Sequence, residues 1–289
     1  IIDSDTGIPM GRISVNQHDQ TDKIFSHAFD NYELQAGVDE NSIMDELHEF
    51  VDMVFDKEAT AKAYIEKLYR FFVKSEWGSA DETNIINPLT QLLIDNDYEI
   101  MPVVRTILSS QHFYDASDTD PSDEILGSIV KSPLQLLSSA IRNLGFTIPN
   151  PNSDMENYYK FSKFFLDNTF FPMAGMILFG PSTVAGYPAV FQAPDYDRQW
   201  FSSSTILARY KMIECLINGR NALGGNGQFG AAVDTVLIIE NNISSPGNIY
   251  NLVNDIAEIL YPFGIQQERI EYFAELILDG YPGYYWEDT

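Results

Sequence analysis

The stretch FQAPDYDRQWFSSSTILARYKMI, residues 191–213, gathers groups that can do chemistry. Asp195 and Asp197 are carboxylates two positions apart, followed by Arg198 and the Trp200–Phe201 pair. Such a set can supply an acid/base or metal ligand, a cation that organises substrate, and an aromatic wall for a ligand. The same residues also make a sturdy helix entry. One hydroxyl among Ser202, Ser203, Ser204 and Thr205 can cap the helix that follows, worth about 1 kcal/mol. Trp200 and Phe201 can then staple the incoming chain against it. No GxSxG elbow supports a serine nucleophile, and the structural use carries more weight.

His18–Asp19 is a second candidate. An imidazole beside a carboxylate suits proton transfer or metal binding, whereas an Asp bonding nearby backbone only closes a turn. His112 follows a helix end, where a protonated ring meets the negative end of the dipole. The runs DSDTG and DASDTDPSDE place Asp3, Asp5, Asp115, Asp118 and Asp120 where a calcium ion could find oxygen ligands. Neither run completes the D-x-D-x-D-G pattern with a distal Glu, so a solvated acidic loop is the simpler reading. GNGQFG at 225–230 matches the letters of a dinucleotide fingerprint, but a helix rather than a strand precedes it. The chain ends in Tyr281, Tyr284, Tyr285 and Trp286. Tyr284 and Trp286, with Trp200, are candidates to stack on a ligand; packing back on the body is the alternative.

These groups must be held by helices. In NSIMDELHEFVDMVF, Ile43, Leu47, Phe50, Val51 and Val54 recur at helical spacing. The next helix, KEATAKAYIEKLYRFFV, carries Ala61, Tyr64, Ile65, Leu68 and Phe72 on its stripe, with Asp56 as its expected cap. Further helices are expected over 86–96 and 100–111, up to a stop at Gly145, from a cap at Ser153 or Asp154, and over 204–218, 247–261 and 266–279. Ile206, Leu207, Tyr210 and Ile213 mark the stripe of the 204–218 helix. Residues 1–40 read as irregular and 171–203 as a long Pro/Gly-punctuated connection. TVLII is the best strand candidate, though it reads as helix equally well. The expected class is mainly α: an irregular multi-helix bundle with long Pro/Gly-rich loops and little or no β-sheet.

Composition narrows the function classes. With 42 acidic and 17 basic residues the net charge is −25, a field that repels phosphates and anionic lipid. Nucleic acid is therefore not an expected partner. No run approaches the roughly 18 apolar residues of a membrane-spanning helix. Cys215 is the single cysteine, which rules out an intrachain disulfide. The opening IIDSDTG lacks a signal-peptide pattern and is read as a processed piece of a longer precursor.

Four segments occur in a familiar order: ELHEFVDMVFDKEATAKAYIEKLYRFFV, NDYEIMPVVRTILSSQHFYD, KSPLQLLSSAIRNLG and FQAPDYDRQWFSSSTILAR. Together they resemble a large bacterial family catalogued as domain of unknown function 1800, over about residues 15–220. His18–Asp19 falls where that family tends to show a His–Asp pair. The resemblance implies a helical, exported protein, periplasmic, cell-surface or extracellular, with a possible partner in another exported family catalogued as unknown function 1501. It supplies no catalytic residues. Residues 1–221 are taken as the family-like helical domain and 222–289 as a helical C-terminal extension packed on the same body. The expected function is that of an envelope or extracellular binding and assembly component. The alternatives are a polysaccharide hydrolase using Asp195 or Asp197, and a calcium-stabilised module.

Overall fold

Asp39 begins the first long helix by a reciprocal cap. Its carboxylate accepts the Ser42 amide at 2.9 Å, and the Ser42 hydroxyl accepts the Asp39 amide at 3.0 Å. From there the computed structural model is mainly helical, as expected. It describes residues 2, 6–9, 11, 13–115, 128–220, 231–261 and 264–287. The chain divides into two compact units, residues 1–125 and 126–289.

In the first unit, strands β1 (Lys23–Ile24) and β2 (Glu33–Leu34) pair antiparallel, with Lys23 opposite Leu34. Residues read as irregular thus hold the one small sheet among the described residues. The helices are α1 (Glu40–Phe55), α2 (Glu58–Phe72), α3 (Ser79–Asp81), α4 (Asn87–Asp95), α5 (Ile100–Ser109) and α6 (Gln111–Tyr114), with a π-helical turn at Glu82–Ile86. Along α2, Ala61, Ile65 and Tyr69 recur every four residues, and Val73 continues the row. They pack with Leu89, Leu93, Val103 and Ile107 as this unit's core. The expected α2 stripe is rotated: Tyr64 is exposed and Tyr69 is buried. Asp56 closes α1 instead of capping α2, whose cap position is Lys57.

The second unit contains α7 (Pro133–Asn143), α8 (Met155–Ser162), α9 (Phe170–Met173), α10 (Pro188–Phe191), α11 (Ile206–Asn218), α12 (Thr235–Asn242), α13 (Ile249–Leu260), α14 (Gln267–Leu278) and α15 (Tyr284–Glu287). Ser132 and Gln135 cap α7 reciprocally, and Gly145 takes φ +59° just beyond its end, as its sequence suggested. Asp154 caps α8 through the Asn157 amide, and α8 runs on into a π-helical turn at Lys163–Asn168. Phe146, Phe161, Phe165, Phe170 and Phe171 form a chain of rings at centroid distances of 4.7–6.0 Å. Ala208, Met212, Cys215 and Leu216 of α11 close over this core. Leu207 and Tyr210, expected on the buried stripe, face outward because the small Ala208 sets the contact face instead. TVLII is helical, within α12. A second cluster joins α13 and α14 through Ile249, Leu252, Val253, Ile270, Ala274 and Leu278.

Candidate functional site

The opening stretch folds as a short 3-10 turn, Tyr196–Trp200, leading into α11. Its hydroxyls close the turn before the helix reciprocally: the Ser202 amide donates to Thr205 Oγ1 at 2.9 Å, and the Thr205 amide to Ser202 Oγ at 3.3 Å, while Thr205 at the cap position makes no side-chain bond into α11. Thr205 Oγ1 also donates to the Trp200 carbonyl at 3.0 Å, which fixes the aromatic residue to the helix start. Trp200 is buried with its ring 5.6 Å from Tyr187, while Phe201 stays half exposed under the Arg209 guanidinium. The Asp197 carboxylate accepts the Val130 amide at 2.6 Å and so anchors the segment entering α7. Asp195 is exposed at the start of the turn, and Arg198 is exposed within it.

Beside this turn lies a cleft of about 270 Å³, lined in part by Ser182, Tyr187, Gln199 and Trp200. Neither Asp195 nor Asp197 is among its walls. The cleft is bounded by a segment whose character sequence reading missed. Residues 168–194 contain no Asp, Glu, Lys, Arg or His, in a chain where 20% of residues are charged. Yet Ile177, Phe179, Val184 and Val190 project into solvent, Phe179 at 93% exposure. The backbone beneath them is held in place. Gly180 N–H donates to the Ile177 carbonyl at 2.9 Å, the Tyr187 hydroxyl donates to that same carbonyl, and Gly186 N–H donates to Thr183 at 3.1 Å. Phe179 is the third residue of the Ile177–Gly180 turn and has φ +60°, a conformation that normally selects glycine there. A bulky side chain is therefore kept in a strained position that points it at solvent.

The first unit holds a polar constellation centred on Glu46. His18 does not pair with Asp19. Asp19 accepts the Thr21 amide at 3.0 Å and the Thr21 hydroxyl at 2.8 Å, the local turn considered from sequence. His18 Nε2 instead lies 2.8 Å from Glu46 Oε2 on α1. Lys23 Nζ lies 2.6 Å from Glu46 Oε1, and the Gly37 amide donates to Oε2 at 2.7 Å. Glu46 is only 8% exposed. Burial pushes its carboxyl upward, but the Gly37 amide, then Lys23 and His18, outweigh burial and hold it at about 2.

Position 37 must be glycine for this to happen: a methyl group there would lie 2.4 Å from the Ile43 nitrogen. Gly37→Ala is expected to cost about 2 kcal/mol by forcing the strand-bearing arm away from α1, read as a lower urea midpoint for the first unit. One signal for Glu46 was available, since it sits three residues after Ile43 on the buried face of α1. The expected α1 stripe gives way accordingly: Leu47, Phe50 and Val51 are half exposed, and Met53 is buried.

The remaining candidates are dispersed. Asp115 ends α6 in a left-handed conformation, while Asp3, Asp5, Asp118 and Asp120 lie outside the described residues, as does GNGQFG. Among the described residues no three His, Cys, Asp or Glu side chains gather as a metal site. His112 lies inside α6, and its Nε2 is 2.8 Å from the buried Tyr69 hydroxyl. Trp286 packs on the α13–α14 core and donates to the Pro246 carbonyl at 2.8 Å; Tyr281, Tyr284 and Tyr285 stay exposed. No helix among the described residues is long and apolar enough to cross a membrane.

No curated protein and no solved structure gives a significant match to this chain. One family does match, over residues 9–279, which extends past the quoted motifs to include α12, α13 and α14. The chain belongs to that family, described as "Protein of unknown function (DUF1800)".

Proposed function

We propose that the protein is an exported binding and assembly component of the bacterial envelope, and that the 168–194 segment is its docking element for another polypeptide. The observation behind this reading is the rigid display of Ile177, Phe179, Val184 and Val190 on an uncharged stretch of an acidic chain. Exposed apolar groups that cluster on a polar background mark interaction surfaces. The adjacent cleft, with Tyr187 and Trp200 in its wall, is of a size to seat one anchoring side chain from the partner. An uncharged contact area also lets an acidic chain approach a partner without opposing fields at the interface. The partner this reading favours is an exported protein of the unknown function 1501 family from the same cell.

Co-expression of the two exported proteins tests it. The pair is expected to co-purify, and Phe179→Asp with Val184→Asp is expected to abolish co-purification while leaving the chain folded. Co-purification that survives both substitutions removes the docking role from this segment.

A further inference from the structure

Helix α14 is apolar on two sides. Its row Ile270, Ala274 and Leu278 packs with Ile249, Leu252 and Val253 of α13, which accounts for one face. An amphipathic helix with one face on the core carries polar residues on the rest. On α14 a second apolar face follows instead: Tyr272, Phe273, Leu276 and Ile277 are exposed, Tyr272 at 62% and Leu276 at 64%. The Tyr272 and Phe273 rings meet edge-to-face at 5.6 Å, so the patch is continuous across the helix surface.

The spacing of these residues specifies the shape of an occupant. Tyr272–Leu276 and Phe273–Ile277 are neighbouring i, i+4 rows, the same kind of ridge that Ile270, Ala274 and Leu278 present to α13. Such ridges pack into the grooves of another helix. The third side of α14 specifies charge. Glu268, Glu271 and Glu275 recur at three- and four-residue spacing along one edge of the apolar rows. Glu271 accepts the Gln267 side-chain amide at 3.1 Å, a neutral partner. From position 231 onward the sequence holds ten Asp and Glu and a single basic residue, Arg269. A second copy of the chain would set these carboxylates against one another, because a two-fold pair uses the same patch on both sides. Anionic lipid meets the same opposition. Lys and Arg beside the apolar stripe of an incoming helix meet a complementary field.

We infer that the exposed face of α14 docks an amphipathic helix of another protein, one whose apolar stripe is flanked by Lys or Arg. This inference does not rest on the docking role of the 168–194 segment. That segment is uncharged, whereas α14 sets carboxylates beside its apolar rows.

Fluorescence anisotropy tests it, with the full chain titrated into a labelled Leu/Lys amphipathic peptide and into a Leu/Glu peptide of the same apolar stripe. The Leu/Lys peptide is expected to bind saturably and at least about tenfold tighter than the Leu/Glu peptide. Tyr272→Gln with Leu276→Gln is expected to abolish that binding. Both positions are exposed and glutamine suits a helix interior, so circular dichroism should show the fold retained. The pair leaves the net charge at −25, so a general attraction of the peptide to an acidic surface would survive it. Glu268→Gln with Glu275→Gln is expected to narrow the gap between the two peptides. The inference is overturned by no saturable binding of the Leu/Lys peptide, by binding that survives Tyr272→Gln with Leu276→Gln, or by equal binding of the Leu/Glu peptide. It is also overturned by self-association, or adsorption to neutral lipid vesicles, that the same two substitutions remove.

Discussion

Replacing Glu46 by alanine is expected to destabilise the first unit by about 3 kcal/mol, since it strands the Lys23 ammonium, the His18 ring and a buried amide that converge on one carboxylate. The three donors come from positions 18, 23 and 37, and their shared acceptor lies on α1. The carboxylate therefore ties the arm that carries the small sheet to the first helix. Its pH dependence has a definite sign. The folded-state value of about 2 lies below the ordinary glutamate value of 4.5, so the folded form favours the ionised group. Its stabilisation is fully present above about pH 4.5 and is lost as pH falls through about 2. The displacement corresponds to roughly 2–4 kcal/mol. Glu46→Gln keeps the shape and one acceptor, so the stability difference between wild type and Glu46→Gln should shrink steadily between those two pH values. Hydrogen exchange of α1 peptides across a urea series measures it. A difference that stays constant with pH would show that Glu46 is not the ionised acceptor described.

Phe165→Ala is expected to cost the second unit about 3–5 kcal/mol. Phe165 is fully buried, with its ring 4.7 Å from Phe161, 4.8 Å from Phe164 and 6.0 Å from Phe170. Removing it opens a void at the centre of the ring chain, which close-packed neighbours relax only partly to fill. The unfolding midpoint should fall on the order of 10 °C. Phe165→Leu should lose much less, since most of the volume is kept. The consequence reaches the surface: Phe170 and Phe171 root the segment that displays Phe179, and the Met176 amide donates to the Phe171 carbonyl at 2.8 Å. A loss below about 1 kcal/mol for the alanine variant would mean that this core is not close-packed.

What the sequence made legible was local. The helix caps at Asp154 and the stop at Gly145 are decided by a few adjacent residues, and both stand where the sequence placed them. The Asp19 turn and the hydroxyl-rich entry to α11 were readable for the same reason. Stripes were less secure. On α11 the small Ala208 and the buried Cys215 define the packed face, while the larger Leu207 and Tyr210, favoured by hydrophobicity alone, turn outward. The Glu46 cluster was only half visible, because a charged residue on a buried face shows itself by spacing whereas its partners are brought from distant positions by tertiary folding. The uncharged run at 168–194 was fully visible in the sequence. Its meaning depended on which of its side chains the fold leaves exposed.

The most direct test of the docking role uses the strained turn itself. Phe179→Gly relieves the positive-φ conformation and removes a side chain that is almost wholly in solvent. Stability should therefore hold or rise by up to about 1 kcal/mol, after glycine's greater entropy loss is set against the relieved strain. If Phe179 is held outward for a partner, the same variant should bind the partner proposed above at least about tenfold more weakly than wild type. Affinity and unfolding free energy measured on one preparation decide between the two uses of this residue. A stable variant with lost affinity is the predicted result, and a stable variant with unchanged affinity would contradict it.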